Sequence, residues 1–379
     1  MTRLVVLRET EPGERRVALV PADLTRLANL GLEVVVESGA GDPAGHPDSE
    51  YELAGAAVAS LPGALDKAAG VLVKVRPPSE SEVANLPQHS TLLCFLPPAT
   101  HLRIVGRLRD RGITTFSFDL VPRISRAQSV DALSSQASAA GYEAAIFAAR
   151  RLGRMFPILM TAAGTVPPAK VLVLGAGVAG LQAIATARRL GASVSGYDIR
   201  PEAAEEVRSL GARFVQLELD AAQGTGGYAA EQSQEFLARQ QELVAIRVSE
   251  SDAVITTAAV PGRPAPRLIT RATVERMRQG AVIVDMAAAS GGNCELTRDG
   301  EEVEHNGVLV IGAGNLASDV ATSSSALYSR NVSNFLALLI RDGDIVSESD
   351  DEVLVGMRLT GAGRVQHEPT RAAMEGTAE

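Results

Sequence analysis

Short, wholly apolar runs recur along the N-terminal third of the chain: LVVL from Leu4, EVVVE at Glu33–Glu37, VLVKV from Val71 and TLLCFL from Thr91. Stretches of helical spacing separate them, the first beginning near Pro21 and Ala22. This alternation predicts an open, mostly parallel α/β sheet. From Gln128 to Pro157 the apolar spacing is helical, with no Pro or Gly cluster before Pro157, which predicts a long connecting helix. TAAGTVPPAK (Thr161–Lys170) then supplies turn residues, and Pro167 and Pro168 lead into the apolar run VLVLG. Further strands are predicted at Val171, Ser193, Asp252–Thr257, Ala281–Asp285 and Val308–Ile311, with helical patterns between them, as in a doubly wound sheet. SSSALYSRNVSNFLALLI (Ser323–Ile340) predicts an amphipathic helix able to carry the chain back toward the first domain. The acidic, polar tail from Asp342 holds one strand candidate, VLVGMRLT (Val353–Thr360).

The expected fold is α/β, with two Rossmann-like domains of parallel, doubly wound sheets joined by long helices and a cofactor cleft between them. Residues 1–131 plus 329–379 form the expected N-terminal domain, and 132–328 the nucleotide-binding one.

Length and composition agree: 379 residues at 46% hydrophobic can bury two cores. Cys94 and Cys294 are too few for a disulfide framework and lie in no zinc spacing, which suits a reducing cytoplasm. The first residues, MTRLVVLRETEPGERR, do not read as a signal peptide. Ala137–Met160, the best candidate for a membrane span, carries Glu143, Arg150, Arg151 and Arg154, so a soluble chain is expected. A net charge of −9, no basic run and no Trp argue against nucleic acid as a partner.

The most informative motif is GAGVAG. Gly175 permits a tight turn, Gly177 lets backbone amides approach a pyrophosphate, and Gly180 allows close packing of the helix that Val178 opens. That helix directs the positive end of its dipole at the phosphates. A second strand, SVSGYD, ends in Asp198, spaced to accept hydrogen bonds from a ribose 2′-hydroxyl and to repel a 2′-phosphate; Ile199 and Arg200 follow it. NAD is therefore favoured over NADP, although Arg200 keeps some ambiguity. A glycine turn serving packing alone is the competing reading.

Two long blocks, PRISRAQSVDALSSQASAAGY (Pro122–Tyr142) and MTAAGTVPPAKVLVLGAGVAGLQAIATARRLGA (Met160–Ala192), resemble the NAD(H)-binding subunit of proton-translocating NAD(P) transhydrogenases, relatives of alanine dehydrogenase. The resemblance covers nearly the whole chain. It implies that Arg123, Gln128 and Asp131 form the catalytic loop at the nicotinamide end, with Ile124, Ser125, Arg126 and Ser134 among the cofactor contacts and Tyr142 in support. GTGGYAAEQSQEFLARQ (Gly224–Gln240) resembles the family's mobile loop, which would bring Gly227, Tyr228 and Gln240 to the cofactor. By resemblance alone, Ala259 lies beside it. A homodimer is implied, docked on the cytoplasmic face of the inner membrane through membrane-embedded subunits, one of which carries NADP(H).

Hydride passing directly between nicotinamides needs approach and orientation rather than a general acid or base. None of the five histidines falls in the cofactor motifs, and no metal is expected. Alanine dehydrogenases pair an Arg and a Lys with a His and an Asp. Arg16 and Lys74 match the first two, whereas Pro97 and Ala289 stand where the others would, so Arg16 and Lys74 are read as inherited structural residues. Ala289 and GAGNLASDV (Gly312–Val320) also depart from the transhydrogenase pattern. The expected function is hydride transfer between NADH and partner-bound NADP⁺, coupled to proton translocation by the membrane subunits. The alternatives are an alanine dehydrogenase-like amino-acid oxidoreductase or a catalytically silent NAD-binding regulatory module.

Overall fold

The computed structural model describes residues 2–65, 70–216, 234–259, 264–346 and 350–376. It has two compact units, one of residues 1–136 and 317–379, the other of 137–316. The second unit is thus inserted between the two pieces of the first.

The sheet of the first unit runs Arg364–Val365, Arg358–Gly361, Thr114–Ser117, Thr91–Cys94, Val71–Val73, Thr2–Val6, Leu32–Glu37, Ala57–Ala59. Its strands are parallel except for the two C-terminal ones, which add an antiparallel edge. Side chains alternate faces along a strand, and the core divides accordingly. Leu4, Val6, Val71 and Val73 pack in one apolar layer with Tyr328, Val332, Phe335 and Leu336 of the helix Ala321–Leu339. Val5, Leu72, Leu92 and Cys94 pack in the other with Val105 and Leu108 of the helix Leu102–Asp110.

The returning helix explains its own serine-rich sequence. Ser325 Oγ accepts from Val17 N at 3.0 Å; Ser329 Oγ accepts from Val20 N at 3.1 Å and donates to Asp23 at 2.6 Å. Tyr328 donates to the Lys74 carbonyl at 2.8 Å. Buried N–H and C=O groups of irregular backbone need such partners, so these polar residues lie on the helix's buried face beside its apolar ones.

The second unit's sheet runs Arg213–Phe214, Ser193–Tyr197, Lys170–Leu174, Ala253–Thr256, Val282–Asp285, Val308–Gly312, Glu302–His305, with only the last strand antiparallel. Val171, Val173 and Ile255 face one apolar layer; Leu172, Leu174 and Val254 face the other. The strand order reverses direction beside Lys170–Leu174, which puts a topological switch point at its carboxyl end.

Three expectations are corrected. The long helix spans Ala132–Arg151, while Gln128 lies in a preceding 3-10 segment, Ser125–Val130. The pattern from Pro21 forms a 3-10 turn and a short helix, Leu24–Ala28. The strand predicted at Val353–Thr360 is instead a helix, Glu352–Met357, followed by the strand Arg358–Gly361. Asp351 starts that helix by accepting from Val353 N at 2.9 Å and Leu354 N at 3.4 Å. Its buried Val353, Leu354 and Met357 keep helical spacing, which the β-branched residues disguise. A hairpin, Leu159–Thr161 with Gly164–Val166, was not anticipated; every residue of both strands is exposed.

Candidate functional site

Each glycine of GAGVAG meets a separate steric demand. Gly175 has φ +100°, and a Cβ there would stand 2.5 Å from Thr257 Oγ1 and 3.1 Å from Ala258 N. A Cβ on Gly180 would sit 1.8 Å from the Gly175 carbonyl, so the helix Val178–Arg189 approaches its strand as only glycine allows. Among the described residues, a Cβ on Gly177 would meet nothing within 4 Å. That glycine answers to no contact among them, and it leaves open space at the helix N-terminus, where free backbone N–H groups suit an anion.

The Asp198 carboxylate accepts from Ala176 N at 2.7 Å, tying the second strand's end to the glycine turn. It also accepts from Arg200 N at 2.9 Å, Nε at 3.0 Å and Nη2 at 3.1 Å. Burial pushes this carboxyl up, but the Arg200 and Ala176 hydrogen bonds outweigh burial and hold it below its ordinary range. Arg200, which left the choice between NAD and NADP open in the sequence, here pairs with Asp198. Ile199 and Val178 are exposed apolar residues flanking the turn. Gln240 is half-buried and hydrogen-bonds the Tyr197 phenol, one residue from Asp198. Ala259 is exposed, two residues beyond Thr257, while Gly227 and Tyr228 lie outside the described residues.

In the first unit, a pocket of about 500 Å³ gathers Arg123, Ile124, Ser125, Gln128, Asp131 and Ser134. Arg123 and Gln128 are exposed. Asp131 caps the long helix, accepting from Ser134 N at 2.9 Å and Ser134 Oγ at 2.5 Å. Arg126 forms an ion pair with Asp351. Ala127 and Val130 anchor the loop in the core, and Ser129 O accepts from Asn331 Nδ2 at 3.0 Å and Asn334 Nδ2 at 2.8 Å. Asn331 and Asn334 escaped sequence reading because their targets lie some two hundred residues away. Thr257 escaped it too, although its hydroxyl donates to the Gly175 carbonyl at 3.1 Å.

Arg16 and Lys74 are buried and paired. Arg16, 4% exposed, is held by Glu14 through Nε at 2.8 Å and Nη2 at 2.6 Å, and it donates to Gln136 at 2.9 Å. Lys74, 1% exposed, bonds Glu82 at 2.5 Å with Glu9 at 3.9 Å. Burial raises the Glu9 carboxyl to about 7, against the opposing pull of Lys74. Pro97 leads a 3-10 turn, and Ala289 lies within another, Ala288–Ser290. Tyr142 is exposed on the long helix.

Two α/β units, one with a glycine turn and an acidic second-strand terminus of the dinucleotide-binding type, define the class. The chain belongs to the alanine dehydrogenase/PNT family: the N-terminal domain of that family matches residues 5–140 and its C-terminal domain matches 144–368. It is 46% identical over 370 residues to the NAD(P) transhydrogenase subunit alpha of Cereibacter sphaeroides, covering 96% of this chain and 70% of that one. It is 44% identical over 376 residues to an NAD(P) transhydrogenase subunit alpha chain of Rhodospirillum rubrum, covering 96% and 98%. A crystal structure of transhydrogenase from Sinorhizobium meliloti superposes with a TM-score of 0.88 at 43% identity, covering 96% and 99%.

Proposed function

We propose that the chain is the NAD(H)-binding subunit of a proton-translocating NAD(P) transhydrogenase, passing hydride between its own NADH and NADP⁺ held by a partner subunit. The observation that carries this reading is the glycine turn. Gly177 has open space above it, the helix Val178–Arg189 begins there, and Asp198 is bonded to the turn at Ala176. The nicotinamide supplies the hydride chemistry. This chain's task is to hold the cofactor: backbone amides at the turn for the pyrophosphate, Asp198 for the adenosine ribose, and the Arg123, Gln128 and Asp131 loop for orientation at the reacting end. Ser134, Ile124, Ser125, Gly227, Tyr228, Gln240 and Ala259 complete the proposed contacts.

Nothing in this scheme requires a proton carrier at the hydride-transfer step. An amino-acid oxidoreductase would need Arg16 and Lys74 to receive a substrate carboxylate, and Arg16 is already matched by Glu14 and Lys74 by Glu82. The apolar, exposed hairpin, with Ile158, Leu159, Met160 and Val166 on its surface, supports a homodimer. No helix among the described residues is long and apolar enough to cross a membrane. The proposed scheme assigns proton translocation to membrane-embedded partners, with this chain docked at the cytoplasmic face of the inner membrane.

The test is stopped-flow transfer from NADPH on a purified NADP(H)-binding partner to an oxidised NAD analogue, with and without this chain. Transfer that requires the chain, and that collapses in Arg123→Ala or Gln128→Asn, is expected. Tight NADH binding without transfer would overturn the transhydrogenase reading and leave a regulatory module.

A further inference from the structure

Asn293 is fully buried, and its side-chain amide is spent on two short backbone segments. Nδ2 donates to the Ala258 carbonyl at 2.7 Å and to the Pro266 carbonyl at 2.8 Å, and Oδ1 accepts from Ala258 N at 3.1 Å. Both polar groups of one residue, Ala258, are thus bonded by one side chain. Only a carboxamide offers a donor and an acceptor side by side for that purpose; a carboxylate offers two acceptors and an aliphatic chain neither. The Asn293 carbonyl in turn accepts from Leu268 N at 2.8 Å and Ile269 N at 3.0 Å. Its neighbour Cys294 donates its N–H to Asp285, a buried carboxylate that also accepts from Thr256, Ala287 and Thr297. The clamp is therefore built on a rigid base.

What it clamps matters because of where Ala258 lies. Thr257–Ala259 leaves the carboxyl end of the strand Ala253–Thr256, across the switch point from the strand that feeds the glycine turn. Thr257 N donates to the Leu174 carbonyl at 2.8 Å, and Ala258 N would come within 3.1 Å of a Cβ on Gly175. In a doubly wound sheet each half binds one mononucleotide, and the pyrophosphate lies at the reversal. Asp198 marks the adenosine half, so Thr257–Ala259 borders the other half. Among the described residues, no Asn293 hydrogen bond goes to Asp198 or to a residue of GAGVAG, although its partner Ala258 packs beside Gly175 where the turn begins.

We propose that Asn293 is a positioning residue for the nicotinamide half of bound NAD(H), fixing the Ala258 peptide that borders that half while leaving the adenosine half to the glycine turn and Asp198. This rests on the NAD(H)-binding reading above.

The discriminating experiment compares NADH with ADP-ribose, which lacks the nicotinamide, on the full-length wild type and on Asn293→Asp and Asn293→Ser. NADH is followed by its fluorescence enhancement and both ligands by calorimetry, with thermal unfolding as the control for folding. Asn293→Asp removes the donation to Ala258 and Pro266 and retains the shape. The expected result is roughly tenfold weaker NADH binding with diminished fluorescence enhancement, and ADP-ribose affinity within about twofold of wild type. Equal losses for both ligands, unchanged affinity for both, or failure of both variants to fold would overturn the proposal and leave Asn293 a structural clamp. A wild type that binds neither ligand would instead overturn the NAD(H)-binding reading itself.

Discussion

The carboxylate of Asp198 and the backbone amide of Ala176, 22 residues apart in sequence, are joined at 2.7 Å. The residue expected to receive the adenosine ribose is thus fixed to the same turn expected to receive the pyrophosphate. Its remaining acceptor capacity is taken by Arg200. Ribose hydroxyls would therefore replace Arg200 bonds rather than fill a vacant acceptor. Asp198→Asn is expected to weaken NADH and ADP-ribose alike by roughly tenfold or more, because hydrogen bonds to an ionised acceptor are among the stronger ones. The preference for NADH over NADPH narrows in parallel. Calorimetric titration with all three ligands checks this; unchanged NADH affinity would remove Asp198 from the site.

Gly177 and Gly180 should separate binding from stability. Gly180→Ala drives a methyl into the Gly175 carbonyl, and overpacking of this kind costs about 1–3 kcal/mol, read as a lower melting temperature. Gly177→Ala meets no atom of the described residues within 4 Å, so the melting temperature stays near wild type while NADH affinity falls. If Gly177→Ala binds NADH normally, the phosphates lie elsewhere.

Glu9 should give the fold a pH dependence. Its carboxyl titrates near 7 when folded and near 4.5 when unfolded, so between those values the native state holds a proton that the unfolded chain has lost. Stability contributed by this group is complete below pH 4.5 and declines up to about pH 7, by about 3 kcal/mol in all. Glu9→Gln cannot ionise and lacks this decline. Urea unfolding of both proteins at pH 5 and pH 8 should show the wild type losing more stability than the variant; parallel losses would refute the assignment.

Met160 is 73% exposed at the hairpin, beside Ile158 and Leu159. If this surface joins two copies, Ile158→Glu with Met160→Glu yields a monomer by sedimentation velocity with an unchanged melting profile of the isolated subunit's cores. A wild type that is itself monomeric at micromolar concentration would dismiss the homodimer.

Many of the buried strands were legible because they are written as Val, Leu and Ile runs, as at Val71–Val73 and Lys170–Leu174, whereas Thr114–Ser117 and the short strands Ala57–Ala59, Arg213–Phe214, Glu302–His305 and Arg364–Val365 carry no such run and were missed. The glycine turn was legible because its spacing is a steric code. The helix at Glu352–Met357 was not, since its decisive signal is a single Asp351 cap against a β-branched background. The exposed hairpin lacked the alternation a one-sided strand shows. At the candidate site the motif residues were readable, but their supports were not. Thr257, Asn293, Asn331 and Asn334 work through backbone groups brought near only by the fold, and an amide aimed at a distant carbonyl leaves no periodic trace.

The inserted arrangement sets an order on how the protein is made. Leu4, Val6, Val71 and Val73 rely on Tyr328, Val332, Phe335 and Leu336 for one wall of their core, and residues 137–316 intervene. At about 5–20 residues per second, a ribosome needs roughly ten seconds or more to cross that interval. During that time the N-terminal sheet has its six parallel strands made but lacks its two C-terminal edge strands and the covering helix, whereas the contiguous second unit can close as soon as it emerges. The first unit to be translated is the last to be completed, and its exposed Val and Leu strands are the segment of the nascent chain that a chaperone would have most reason to shield.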